Sequence, residues 1–411
     1  MALHMSATSA AAATPVAEVR GDRFGRLPWW VVVLGLFAVA RVITTGMLLY
    51  LASIQKAIRW APASPDLLTF SGRWWDGGWY RVISETGYPT VVEPEANGHI
   101  GQNEWAFMPV YPGVVRGLMT VTGLDWAAAS VLVSLVAGFG AALVVYLLFR
   151  ERLDKGTSLF AVVLFSISPL AAMFQVAYAE SLHVLLLATA LLLVLRRRYL
   201  VLIPIIIVMG FTRPSGLAFA LFLGLHILLR LYRRKADPFS PQEFLSAGVA
   251  TFVSLCVGFA WLVIAGIATG DMAHYTDTEL SWRAPYIGYQ HLVPFTPWFQ
   301  SLNYRIGMPW GWMFVTVIIV GFIVTMFLPQ VRRLGDDIRL WSLSYVLYLF
   351  AVFFPQSSTF RLLLPLFPLA GALAIPRSRV YRVAVVVASL VGQFLWLFVL
   401  WRVYDDSPLP P

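Results

Sequence analysis

Apolar runs of about 20 residues, many of them ended by arginines, dictate what this chain can become. A run of that length matches the hydrocarbon thickness of a bilayer, where a backbone can satisfy its own polar groups only as a helix or a closed barrel. The chain has 411 residues, of which 59% are hydrophobic and 12% charged. A soluble protein carries about 25% charged residues. The expectation is an all-α, polytopic membrane protein. The net charge of +9 comes from basic residues at the ends of apolar runs, so it marks topology and not a nucleic-acid partner. Lysine occurs only at Lys56, Lys155 and Lys235. With the abundant Ala and Val, this arginine bias points to a GC-rich, actinobacterial genome. The single cysteine, Cys256, lies in an apolar run. It excludes an intrachain disulfide or a cysteine metal site and reads as a packing residue.

Positive charge stays inside. Arg20, Arg23 and Arg26 precede the first run, 29–52, and so place a disordered N-terminus, 1–28, in the cytoplasm. Met1 to Met5 reads as an added leader, and the first run, with no small-residue cleavage site after it, as an uncleaved span. Further runs fall at 126–149, 157–175, 179–195, 199–211, 214–230, 245–269, 309–328, 340–354, 360–375 and 380–402. Together they predict about eleven spans. One transmembrane domain, 29–403, then carries external loops 53–125 and 270–308 and an external tail, 404–411. The first loop is expected to hold two helices lying along the membrane surface, near 74–86 and 106–121. Counting 106–121 as a span would move every later basic cluster to the wrong side.

This arithmetic gathers the unusual residues on the outer face. Asp76 stands among Trp74, Trp75, Trp79 and Tyr80. It is a candidate catalytic base, although interfacial aromatics with a helix-capping acid would look the same. Glu180 opens an apolar run and Arg213 joins two. Ionisable groups at such depth either pair with each other or line a polar site. Pro214 breaks the helix beside Arg213 and frees backbone groups. Glu104, His274, Glu279 and Phe360-Arg361 lie on the same side. His183, one turn from Glu180, and His226 read as packing residues. Asp336-Asp337 reads as a solvated pair set among Arg332, Arg333 and Arg339. No tight carboxylate or histidine set suggests a metal.

The sequence holds no Walker loop, dinucleotide fingerprint or GxSxG elbow, which argues against a nucleotide-driven pump or a serine hydrolase. What remains is one prominent external carboxylate, aromatic platforms and arginines. Aromatic rings suit the apolar face of a sugar. Guanidinium groups suit a phosphate through charge-assisted bidentate bonds. A sugar on a lipid phosphate carries its own leaving group, so one carboxylate that takes a proton from an attacking hydroxyl supplies the remaining chemistry. Nucleotide sugars are not expected outside the cell, so a donor there is lipid-linked.

Trp75-Asp76 with Gly87-Tyr88, then Phe107-Met108-Pro109-Val110-Tyr111-Pro112, Tyr178-Ala179-Glu180-Ser181-Leu182 and Arg213-Pro214-Ser215-Gly216 follow one another in the chain. This order resembles the family of the second mannosyltransferase of GPI-anchor synthesis, which belongs to the GT-C superfamily of multi-span glycosyltransferases. The similarity runs from about 70 to 220. Beyond that only Phe360-Arg361 followed by Pro365 is similar. Met108 departs from the aromatic that the family often has there. The resemblance implies a GT-C-like fold with two surface helices in the first external loop, and a polyprenyl-phosphate-mannose donor. It also implies an inverting, metal-independent transfer without cofactor, and an acidic catalytic residue at Asp76. Bacteria make no GPI anchors, so the acceptor becomes a glycolipid, a lipoglycan or a secreted protein. On this reading Asp76 is the base, and Arg213 and Arg361 bind the donor phosphate. Trp75, Tyr80, Glu104, Tyr178, Glu180 and His274 form the sugar and acceptor pocket, on the extracytoplasmic face of the plasma membrane. The partners are the lipid donor, the acceptor and membrane lipids, with no nucleic acid. Two other functions fit the same residues: a GT-C transferase for another lipid-linked sugar, such as arabinofuranose, or a lipid transporter or flippase, which broken helices and intramembrane charges also suit.

Overall fold

A computed structural model describes residues 27–59 and 61–404, and within them helices are the regular secondary structure, beside one isolated bridge, Ile58 to Ala61. Apart from 27–28 and Tyr404, the expected cytoplasmic segment 1–28, with Arg20, Arg23 and Arg26, and the expected tail 404–411 lie outside the described residues. Among the described residues, five helices are long and apolar enough to cross a bilayer: Trp29–Ser53, Trp126–Arg150, Pro241–Thr269, Trp310–Phe327 and Arg379–Trp401. The protein is thus an all-helical, multi-pass membrane protein. The other six expected runs fold as shorter or interrupted helical segments.

In chain order the α-helices begin with α1 (Trp29–Ser53), α2 (Leu67–Gly72), α3 (Asp76–Thr86), α4 (Val110–Thr122) and α5 (Trp126–Arg150). Next are α6 (Lys155–Ser166), α7 (Glu180–Leu195), α8 (Tyr199–Gly210), α9 (Gly216–Tyr232) and α10 (Pro241–Thr269). Then come α11 (His274–Ser281), α12 (Ala284–Ile287), α13 (Pro297–Ile306), α14 (Trp310–Phe327) and α15 (Pro329–Arg332). The last are α16 (Asp336–Val352), α17 (Thr359–Leu362), α18 (Ala370–Ala374) and α19 (Arg379–Trp396), which runs on into a π-helical turn, Leu397–Trp401.

Local chemistry sets the helix ends. The Asp125 carboxylate accepts from the Ala128 N–H at 3.0 Å and caps α5. Ser240 and Glu243 form a reciprocal capping box, with Pro241 at the first helical position, and so start α10. Gly270, at φ +77, ends it. The run 157–175 breaks after Ser166 and re-forms as the 3-10 turn Ala171–Phe174. Buried Arg41 of α1 fills the break: it donates to the Ser166 carbonyl at 2.5 Å and to the Ala171 carbonyl. Its guanidinium also lies 4.8 Å from the centre of the Phe37 ring. A carbonyl released by a helix break is costly in an apolar surround, so a buried cation with two such acceptors stabilises both partners.

α5 packs along α7, and α10 along α8 and α9. The expected helices near 74–86 and 106–121 are present as α3 and α4. With α2 they lie across one end of the bundle, held by Trp126 Nε1 to the Gly72 carbonyl (2.7 Å), the Tyr111 hydroxyl to the Ser130 carbonyl (3.0 Å) and the Val110 N–H to the Phe211 carbonyl (3.0 Å). At the other end, His226 does more than pack. Its ring nitrogens meet the Tyr199 hydroxyl at 2.8 Å and the Asp337 carboxylate at 2.6 Å. Asp336 pairs with Arg233 at 2.7 Å and Arg339 at 2.9 Å, so of the three arginines expected around the Asp336-Asp337 pair only Arg339 is engaged.

Candidate active site

Two helix starts set two acids side by side. α3 begins at Asp76 and α7 at Glu180, where the positive end of a helix dipole favours a carboxylate. The turn into α3 is unusual: Trp75 has φ +56, and its indole N–H donates to the Trp401 carbonyl at 2.9 Å. The Gly77 that follows Asp76 has no room for a side chain, because a Cβ there would lie 3.0 Å from the Gly72 carbonyl oxygen and 3.2 Å from Ala177 Cβ. The Ala177 N–H donates to the Ser71 carbonyl at 2.9 Å, which laces the approach to α7 onto α2.

Two arginines answer the two acids. Arg361, on α17, donates from Nη1 to Asp76 Oδ2 and, at 3.3 Å, to Glu180 Oε1. Arg213, in the turn between α8 and α9, reaches the same Glu180 oxygen at 3.2 Å. The Arg361 guanidinium also lies over the Tyr178 ring, 5.1 Å from its centre. The Tyr178 hydroxyl accepts from the Asp76 backbone N–H at 3.3 Å. The Arg213 and Arg361 side chains are 16% and 12% exposed, against 7% for Asp76 and 5% for Glu180. All four side chains are thus largely buried. Two positive and two negative charges cancel, and that balance lets four ionic groups share a poorly solvated place. Some polar capacity is unspent: Glu180 Oε2 and Arg361 Nε are buried with no hydrogen-bond partner among the described residues. Burial pushes the Asp76 carboxyl up, while the Arg361 charge pulls it down.

Of the residues singled out from sequence, Asp76, Tyr178, Glu180, Arg213 and Arg361 meet in this one cluster. Tyr80 lies beneath it, 1% exposed, edge-on to Phe107 at 5.3 Å and to Tyr111 at 5.1 Å. Trp75 is held by Trp401 as above. His183 bonds Ser215 at 3.0 Å and so ties α7 to the start of α9. Glu104 and His274 lie elsewhere. Glu104 opens a 3-10 turn, Glu104–Ala106, that packs on α11. His274 stands edge-on to Trp105 at 6.4 Å, and the charges that act on it are Asp271 and Asp277. Neither residue is ion-paired or hydrogen-bonded to the four charges.

Sequence reasoning gave Glu279 no role. It lies on α11, one turn after Tyr275 and on the same helix face. Desolvation by the protein packed around it pushes its carboxyl up to about 7, against a downward pull from Tyr275 and Arg213. Asp76 and Arg361 act on it too. The signal available in sequence was the i,i+4 Tyr–Glu pair in an otherwise irregular loop.

No protein-family model matches the chain, and no curated relative does either. Solved structures with a similar course include ArnT from Cupriavidus metallidurans bound to undecaprenyl phosphate, at TM-score 0.49 and 16% identity over 90% of this chain and 63% of that one. The archaeal oligosaccharyltransferase AglB from Archaeoglobus fulgidus, in complex with an inhibitory peptide and a dolichol-phosphate, aligns at TM-score 0.48 and 12% identity over 95% of this chain and 57% of that one. The chain thus spans about three fifths of the length of these structures. At such identities the likeness says nothing of chemistry, which has to come from the residues of this chain.

Proposed function

We propose that this chain is a GT-C-type mannosyltransferase. It takes mannose from polyprenyl-phosphate-mannose and passes it, with inversion, to a hydroxyl of a glycolipid, lipoglycan or secreted protein at the outer face of the plasma membrane. The observation that carries the reading is the ion pair of Asp76 with Arg361, with Arg213 joined to Arg361 through Glu180: a carboxylate beside two cations whose chemistry suits a phosphate. The donor phosphate lies against Arg213 and Arg361, which hold its oxygens by charge-assisted bonds. The acceptor hydroxyl approaches Asp76. Its oxygen attacks the anomeric carbon from the face opposite the phosphate, its proton passes to the Asp76 carboxylate, and the bond from the anomeric carbon to the phosphate oxygen breaks. The lipid phosphate leaves with the electron pair, and its growing charge stays on the two arginines. Glu180 holds both arginines in place. Tyr178 and Trp75 shape the walls next to the sugar, and residues 53–125 and 270–308 face outward in one transmembrane domain, 29–403.

The motif order from Trp75-Asp76 to Arg213-Pro214-Ser215-Gly216 supports mannose as the sugar. The test is to incubate the purified protein with labelled polyprenyl-phosphate-mannose and a membrane lipid extract, with polyprenyl-phosphate-arabinofuranose in parallel, and to identify the labelled product. Label from the mannose donor is expected in a new glycoconjugate. Label from the arabinose donor alone overturns the sugar, and label from neither overturns the reaction.

A further inference from the structure

α5 joins the two ends of the molecule. Trp126 at its start binds Gly72 next to the acid–arginine cluster, and its 25 residues span about 37 Å. At its far end the chain encloses a cavity of about 540 Å³ lined by Arg152, Leu153, Asp154, Thr157, Arg333, Ile375 and Arg377. Three arginines against one aspartate leave a formal charge of +2 (3 − 1) on the lining. The aspartate is already committed. Its two oxygens accept from the Thr157 N–H at 3.1 Å and the Thr157 hydroxyl at 2.6 Å, and so cap α6. Its pair with Arg377 is long, 3.7 Å, and both side chains are largely exposed. Arg152 and Arg333 have no carboxylate partner among the described residues. Gly335, at φ +93, carries the chain past Arg152 with the place of its absent Cβ 3.1 Å from Nε, so the backbone is shaped around this arginine. By contrast, Arg196, close by in the fold, is satisfied by Glu151 at 2.8 Å.

We propose that this cavity binds the phosphate of an anionic phospholipid in the leaflet opposite the acid–arginine cluster. A free phosphate has the same charge, but two features favour the lipid. The volume far exceeds that of one phosphate group, leaving room for the glycerol and headgroup. Leu153 and Ile375 add apolar wall to the arginines, and Arg152 and Leu153 also border an apolar crevice lined by Phe149, Leu334 and Ile338, which suits an amphiphile at a membrane boundary. Basic pockets between helices at such a boundary hold anionic lipid headgroups, and each arginine near the surface strengthens the attraction. Bound there, one lipid would join the α5–α6 turn to the ends of α15 and α18.

The full-length protein is reconstituted in nanodiscs of phosphatidylcholine with roughly a fifth phosphatidylglycerol, extracted into detergent, and its retained lipid is quantified by native mass spectrometry. Wild type is expected to keep phosphatidylglycerol over phosphatidylcholine. Arg152→Gln combined with Arg333→Gln is expected to lose that preference by about tenfold, while Arg196→Gln keeps it. Excess inorganic phosphate is expected not to displace the lipid. Equal retention by the double variant, or equal loss in Arg196→Gln, overturns the site. Complete displacement by inorganic phosphate overturns the lipid assignment. If the double variant does not stay monodisperse, Arg377→Gln alone is measured against the same two outcomes.

Discussion

Arg361 and Asp76, 285 residues apart in the chain, meet in one largely buried ion pair. The pair has a mechanistic consequence. Burial raises the proton affinity of the Asp76 carboxylate, and the Arg361 charge offsets part of that rise. A phosphate entering beside Arg213 competes for Arg361. As Arg361 turns to the phosphate, Asp76 loses its cation while remaining in a poorly solvated place, and its affinity for a proton rises. On the function we propose, donor binding would thus switch on the base, while Glu180 meets both arginines at one oxygen.

The first prediction concerns the base itself. Asp76→Asn removes the proton acceptor and keeps the shape. Transfer from labelled polyprenyl-phosphate-mannose should fall by about 10²–10⁴, with little change in donor binding and a protein that still elutes as one species. A rate near that of wild type would remove Asp76 from the reaction.

The second concerns charge balance. Arg361→Gln leaves Asp76 unpaired and Glu180 with Arg213 alone, and breaking a buried pair from one side costs about 3–5 kcal/mol. The double change Arg361→Gln with Asp76→Asn removes one charge of each sign. It should recover at least about 1 kcal/mol of that loss, while transfer stays abolished. Thermal unfolding in detergent of the two single variants and the double reads the coupling. Strict additivity would mean that the two side chains do not stabilise each other.

How much of this was legible depends on the range of the cause. α3 and α4 were expected close to where they lie, because Pro109, Pro112 and the charge arithmetic act locally. Pairing was one of two readings of Glu180 and Arg213, and the two residues do pair. The meeting of Arg361 with Asp76 had no local signature. Each stood out, yet only the packing of α17 against the start of α3 brings them together. Glu104 and His274 entered because aromatics and ionisable groups crowd their segments, but Trp105 and Trp261 build a separate cluster there. The interruption after Ser166 was hidden too, since the donor that satisfies its freed carbonyl is Arg41, 125 residues earlier.

The third prediction addresses sidedness. Thr86 ends α3 and is exposed, and Arg196 lies just past the end of α7, at the opposite end of the bundle. With Cys256 replaced by Ala, a cysteine introduced by Thr86→Cys should react with a membrane-impermeant maleimide on intact cells, whereas Arg196→Cys should react only after lysis. The reverse pattern would put Asp76 on the cytosolic side, where the lipid-linked donor would have to be reconsidered.

The fourth follows from Glu279, whose carboxyl sits at about 7 rather than the ordinary 4.5. The surrounding protein disfavours its charged form, and Arg213 and Tyr275 only partly offset that. A raised acid holds its proton more tightly when folded than when unfolded. Below about 4.5 both states are protonated and pH has no effect through this group. Between about 4.5 and about 7 unfolding releases a proton, so the contribution of Glu279 to stability falls as pH rises, and it levels off above about 7. Other groups titrate in the same window, and the difference between wild type and Glu279→Gln isolates this one. The variant should match wild type at the acid end, where both side chains are neutral. It should become progressively the more stable of the two on the way to neutral pH. Thermal midpoints measured in detergent across that range decide it, and parallel curves would mean that the carboxyl is solvated and carries no upward shift.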